Sequence, residues 1–194
     1  MKTSLENKNI VLCVSGGIAA YKSVKLLRLL QKMGANVRVI MTKNAEAFVG
    51  SITFEAISGF KVTTNLFDKG MDTSIIHIEL AKNCDAAIIV PATANIIGKL
   101  ASGIADDALS TFMLAVTAPK LVCPAMNTNM YENRSVQRNL EILEADGYII
   151  MEPSTGELAC KTTGLGRLSA PENIADRLVK AVTVKDLKGK KILV

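Results

Sequence analysis

The sequence predicts an α/β protein in which a mainly parallel, six-stranded sheet is covered by helices on both faces, in three layers. Three observations predict it. Short apolar runs alternate with segments of helical periodicity along the whole chain, the pattern of βαβ units. Asp85–Val90 and Lys120–Cys123 are continuous apolar runs rather than alternating ones, as expected of strands buried on both faces. Both then switch at once to Pro, small residues and Asn: Pro91-Ala-Thr-Ala-Asn95 and Pro124-Ala-Met-Asn-Thr-Asn-Met130. A strand ending this way places polar groups at its carboxyl edge, where open α/β sheets take their ligands.

Ile10–Val14 reads as the first strand. Ile18–Met33 follows as a helix, with Val24, Leu27 and Leu30 on one face and Lys25, Arg28 and Lys32 opposite. Val37, Val39 and Met41 alternate as a second strand. Ala45–Phe48 and Phe54–Ile57 suit short helices, and Lys61–Thr64 a third strand. Asp85–Val90 is the clearest central strand, followed by helices at Ile96–Ala101 and Ala108–Ala118. Lys120–Cys123 returns to strand, Val136–Asp146 is a helix stopped by Gly147, and Tyr148–Met151 is the sixth strand. Pro171–Val182 closes as a helix with Pro at its first position.

A chain of 194 residues with 49% hydrophobic and 21% charged content is one globular unit with a substantial core. The net charge of +5 is spread along the chain, and aromatics are only 4% with no Trp, which argues against nucleic-acid binding. The positive balance suits small anionic ligands. Cys13, Cys84, Cys123 and Cys160 are far apart, and with one histidine they form no zinc set, so no metal is expected. Cys13 and Cys123 read as small core residues in strands. Glu6 precedes a five-residue apolar run that ends in glycines, which is not a signal peptide, and no run approaches bilayer length. A cytoplasmic protein with reduced thiols and no membrane partner is expected.

Ser15-Gly-Gly-Ile-Ala-Ala20 joins the first strand to the first helix, and its glycines would let backbone N–H groups approach an anion at the helix N-terminus. The later glycines of a dinucleotide fingerprint are replaced by Ala, the second strand ends in Thr42 rather than an acid, and no GxxxxGK[ST] occurs. A mononucleotide phosphate fits better than a dinucleotide; a plain tight turn fits equally well. His77, between two isoleucines, reads as a core residue or as a proton acceptor, its ordinary pKa of about 6.5 suiting the latter. Asp106-Asp107 read as helix caps. Pro153–Ala170 shows no periodicity and reads as a long lid or binding loop. Its Cys160 thiol, ordinarily near pKa ~8.5, suits a proton donor better than a nucleophile, or is incidental.

Together these segments resemble the homo-oligomeric flavin-containing cysteine decarboxylase family, and within it the phosphopantothenoylcysteine decarboxylases of coenzyme A biosynthesis. The resemblance rests on Ser15–Lys22, His77 in HIELA, PATANIIGKLASGIADD over 91–107, PAMNTNM over 124–130, and LAC with GLGR in the long loop. It implies a Rossmann-like sheet binding FMN, and trimers assembled into dodecamers with sites at subunit boundaries. Carried over by position, Gly16, Gly17, Ile18, Thr42, Thr93, Ala94, Asn95 and Ala125 would contact FMN. His77 would be the catalytic histidine, Asn127 would hold the substrate carboxylate and Cys160 would donate the final proton. Glu157, Leu158 and Ala159 would line the substrate. Lys161 departs from the family, which commonly has glycine after the cysteine.

The implied activity is FMN-dependent decarboxylation of 4′-phosphopantothenoylcysteine to 4′-phosphopantetheine through a thioaldehyde and an enethiol. A peptidyl-cysteine decarboxylase and a non-catalytic flavin-binding regulatory subunit are the alternatives. Retention of His77 and Cys160 speaks for catalysis, and the absence of long acidic extensions speaks against the regulatory subunit. Residues 1–183 are expected to form the FMN-binding decarboxylase domain. The tail LKGKKILV resembles the opening of the phosphopantothenate–cysteine ligase domain of bifunctional forms, so 184–194 are expected to be a linker and the start of that domain, truncated.

Overall fold

The computed structural model describes residues 4–66, 76–157, 161 and 163–183. Leu158, Ala159 and Cys160, like the expected linker at 184–194, lie outside the described residues.

Five parallel strands form the central sheet: β1 (Asn9–Val14), β2 (Asn36–Met41), β3 (Ala86–Ala92), β4 (Lys120–Pro124) and β5 (Ile149–Ile150). Their order is β2-β1-β3-β4-β5. The helices are α1 (Ala20–Lys32), α2 (Ser51–Ser58), α3 (Ile76–Asn83), α4 (Ala94–Ala101), α5 (Ala108–Ala115), α6 (Thr128–Tyr131), α7 (Arg134–Ala145) and α8 (Pro171–Val182).

Successive strand residues point to opposite faces, and both faces are apolar. Ile10, Leu12 and Val14 of β1 pack with Leu26, Leu27 and Leu30 of α1, Phe54 of α2, and Ile174 and Leu178 of α8. Val11 and Cys13 face the other way, with Ile96 and Leu100 of α4, Phe112 and Met113 of α5, and Leu140 and Leu143 of α7. All seven residues of β3 are buried, as the central strand of a doubly covered sheet must be.

The sheet has five strands rather than the six expected. Lys61–Thr64 runs beside β2 but makes only a single parallel bridge, between Ile40 and Thr63. The Thr63 N–H donates to Val39 O at 3.1 Å and its carbonyl accepts from Met41 N at 2.9 Å, and the ladder goes no further. The aperiodic segment after Pro153 contains an antiparallel hairpin, β6 (Ser154–Glu157) and β7 (Thr163–Arg167). Its Thr- and Gly-rich strands carry almost no apolar alternation, so periodicity could not find them. His77 lies in the first turn of α3, a helix the apolar run around it did not announce.

Candidate active site

β1 and β3 are neighbours, yet the chain leaves β1 toward β2 on one side and resumes at β3 on the other. That reversal opens a crevice outside the carboxyl ends of the two strands, and the order 2-1-3-4-5 is one in which ligands sit at this switch point. Here the crevice is bounded by the Ser15–Ala19 loop after β1 and by Thr93 after β3.

Ser15 ties these two loops together. Its side chain is 1% exposed. The hydroxyl donates to Pro91 O at 2.8 Å and accepts from the Thr93 N–H at 3.0 Å, with Thr93 Oγ1 3.1 Å away. Thr93 stands at the N-cap of α4, yet its side chain caps nothing. α1 likewise begins behind Ala19, which has no capping group. Two helix N-termini without side-chain caps therefore open beside one crevice, an arrangement that favours an anion.

The glycines keep this crevice narrow. A Cβ on Gly16 would lie 2.5 Å from Asn44 Cβ and 2.7 Å from its carbonyl carbon. Only a residue without a side chain lets the β1 loop rest on the segment after Thr42, whose N–H donates to Val14 O at 3.0 Å. A Cβ on Gly17 would touch Thr93 Cγ2 at 3.4 Å. Ile18 is left 61% exposed beside them. Thus Gly16, Gly17, Ile18, Thr42, Thr93, Ala94 and Asn95 come together from three strand ends.

β4 adds the fourth strand end. Ala125 N donates to Ala92 O at 3.0 Å, holding the Pro124–Asn127 loop against β3. Asn127 is the N-cap of the one-turn helix α6, its Oδ1 accepting from Asn129 N at 2.9 Å. A carboxamide whose oxygen is engaged this way is oriented, and its nitrogen is the end that donates. β7 covers this loop, with Met126 N donating to Gly166 O at 3.0 Å. Gly166 has φ 130°, and a Cβ there would run into Met126 O, as one on Gly164 would run into Thr128 Oγ1. Thr128 Oγ1 is buried with no hydrogen-bond partner among the described residues.

His77 is not part of this cluster within one chain. It is half-buried and lines a cavity of about 1040 Å³ along the β1–β2 side of the sheet, with Arg38, Thr63, Leu66 and Leu80. Asn127 follows β4, two strand spacings from β1, or roughly 10 Å. Glu157 is exposed at the end of β6. Lys161 has φ 62°, a left-handed conformation that glycine adopts more readily than lysine.

Ser15 and Gly166 were absent from the candidates read in the sequence. Ser15 immediately precedes the Gly-Gly pair, and both residues lie within segments that carry the family resemblance, Ser15–Lys22 and GLGR. Among the described residues no group of His, Cys, Asp or Glu could hold a metal ion. No described helix is long and apolar enough to cross a membrane.

The chain is 49% identical over 193 residues to the coenzyme A biosynthesis bifunctional protein CoaBC of Bacillus subtilis, covering 98% of this chain and 48% of that protein. It is 45% identical over 192 residues to the CoaBC protein of Escherichia coli, covering 98% and 47%. The chain thus spans about half the length of these curated relatives. Among solved structures, it is similar to a cysteine-to-serine mutant of PPC decarboxylase complexed with pantothenoylaminoethenethiol, at 30% identity and TM-score 0.79. That match covers 89% of this chain and 97% of the other. MrsD from Bacillus sp. HIL-Y85/54728 superposes with TM-score 0.80 at 28% identity, covering 93% and 99%. A model of the Flavoprotein family matches residues 1–183, and the chain belongs to that family.

Proposed function

We propose that this chain catalyses the FMN-dependent decarboxylation of 4′-phosphopantothenoylcysteine to 4′-phosphopantetheine. The observation that carries the reading is the crevice at the β1/β3 reversal, built from Gly16, Gly17, Thr42 and Thr93 and bordered by the oriented carboxamide of Asn127. The residues fit a flavin mononucleotide. The helix N-termini of α1 and α4, without capping side chains, suit its single phosphate. The small residues Ala94 and Ala125 and the exposed Ile18 suit a flat apolar ring.

FMN, when bound, supplies the two-electron chemistry that an amino-acid carboxylate needs in order to lose CO₂. The chain's own residues do the rest. Asn127 offers neutral donors to the substrate carboxylate, positioning it without the strong ground-state stabilisation that a cation would give. His77 takes or orients the proton of the substrate thiol. Cys160 returns a proton to carbon at the end of the cycle, and Glu157, Leu158 and Ala159 line the substrate.

His77 and Asn127 lie on different parts of one subunit, so a site containing both is assembled at a boundary between copies, in a trimer-based oligomer and by family resemblance a dodecamer. Large apolar side chains left exposed in the single chain, Ile18, Tyr21, Phe48 and Ile52, supply surface for such contacts. The relatives favour this substrate over a peptide. CoaBC proteins match at 49% and 45% identity, against 20% for the peptidyl-cysteine decarboxylase EpiD.

The test is direct. Purified protein is expected to be yellow, to release FMN on denaturation and to liberate CO₂ from 4′-phosphopantothenoylcysteine. Cys160→Ser is expected to release CO₂ without forming the saturated thiol, and Asn127→Ala to keep flavin but stop decarboxylation. Colourless protein that cannot be reconstituted with FMN would overturn the reading, as would full turnover by Asn127→Ala.

A further inference from the structure

A second cavity of about 540 Å³ lies between the start of α1 and the β7–α8 connection. Its walls include Lys22 of α1 and Arg167 of β7. Neither forms an ion pair among the described residues. The one carboxylate in the wall, Glu172, is taken by Lys25 at 2.8 Å. Lys22 Nζ makes only a long bond, 3.4 Å, to Leu168 O. Burial, and then the nearby Arg167 guanidinium, pull the Lys22 pKa below its ordinary value. Among the described residues, the two cations share this pocket with no free counter-charge in its wall, an arrangement that an anion relieves.

The guanidinium has a prepared berth. A Cβ on Gly156 would lie 2.9 Å from an Arg167 terminal nitrogen, so the bare glycine lets Arg167 fold across β6. Both cations also adjoin the candidate active site. Lys22 is two residues into the helix that follows Gly16-Gly17. Arg167 follows Gly166, whose carbonyl accepts from Met126 beside Asn127.

We propose that Lys22 and Arg167 bind the phosphate monoester at the far end of the substrate, and so select the phosphorylated over the dephosphorylated compound. This rests on the decarboxylase reading above. The same chemistry could serve the cofactor's phosphate, and the experiment separates the two. Lys22→Gln, Arg167→Gln and Gly156→Ala holoproteins are compared with wild type for flavin content, for KM toward 4′-phosphopantothenoylcysteine and toward pantothenoylcysteine, and by calorimetry with 4′-phosphopantetheine and pantetheine.

Each Gln variant is expected to raise KM for the phosphorylated substrate about 10- to 100-fold, the effect of losing one charge-assisted bond. KM for the dephosphorylated substrate and flavin content are expected to stay at wild-type values. Gly156→Ala is expected to weaken phosphate discrimination by displacing the guanidinium, and Lys22→Arg to restore it. Loss of flavin from the Gln variants would assign the pair to the cofactor and overturn the proposal, as would equal KM changes for both substrates. A wild type that releases no CO₂ would sink the decarboxylase reading instead. Tighter binding of 4′-phosphopantetheine than pantetheine, abolished in the Gln variants, would then still support the pair, and equal binding would overturn it.

Discussion

Ser15→Ala tests whether the two loops of the crevice are held by a single hydroxyl. In the wild type that hydroxyl both donates to Pro91 O and accepts from Thr93 N, in a position 1% exposed. Its removal deletes the bond donated to Pro91 O, a net contribution of about 1 kcal/mol, and leaves the Thr93 N–H without its acceptor, a further 1–2 kcal/mol or so. The sum is about 2–3 kcal/mol. For a chain of this length each kcal/mol moves Tm by roughly 2–4 °C, so a fall of about 5–10 °C is expected in a thermal scan. Ser23→Ala is the control. Ser23 Oγ donates to Val90 O on the same strand and accepts no hydrogen bond among the described residues, so its loss strands no N–H. A smaller fall, near 1 kcal/mol, is expected there. The variants should also part in flavin titrations: Ser15→Ala weakens cofactor binding by loosening the crevice, whereas Ser23→Ala leaves it intact. A Ser15→Ala protein melting within about 1 °C of wild type, or one destabilised less than Ser23→Ala, would refute the assignment.

Gly16→Ala forces a methyl into Asn44 and should separate the β1 loop from the segment after Thr42, with flavin content of the purified protein falling sharply. Asp107 caps α5 through Ser110 N and pairs with Lys99 Nζ at 2.8 Å, so Asp107→Ala should lower unfolding free energy in urea by about 1–2 kcal/mol. Burial pushes the Asp107 carboxyl up, but the bonds from Lys99 and Ser110 outweigh it and hold the pKa below the ordinary carboxylate range. A depressed folded-state pKa contributes stability above the ordinary value of about 3.9 that is lost as pH falls through the folded one. The stability gap between wild type and Asp107→Asn, which keeps a capping oxygen, should therefore be flat at neutral pH and shrink below about pH 4. Cys13 and Cys123 are fully buried and burial raises both thiol pKa values, so iodoacetamide at pH 8 should modify neither until the protein unfolds, as peptide mass mapping would show.

Strands β1, β3 and β4 were legible because continuous apolar runs bounded by Gly or Pro have few other meanings in a chain of this composition. The last helix was legible at both ends, since Pro171 marks its first turn and amphipathic spacing runs to Val182. Asp107 was read correctly as a cap, which it is through a box with Ser110. Lys61–Thr64 misled because β-propensity does not say whether a strand edge offers a full ladder; here it pairs at one residue. The β6–β7 hairpin was hidden because Gly156, Gly164 and Gly166 are there for close approach to Arg167, Thr128 and Met126, contacts distant in sequence.

By itself the sequence determined that this chain builds a doubly covered parallel sheet whose strand ends carry Gly-Gly, Thr, Pro-Ala and Asn, because periodicity and local residue chemistry are properties of neighbours along the chain. Tertiary structure alone decided that Ser15 clamps two of those ends together. It also placed Lys22 opposite Arg167 and put His77 on the β1–β2 side, away from Asn127. These depend on strand order and on hydrogen bonds across more than seventy residues of chain, which no local pattern encodes.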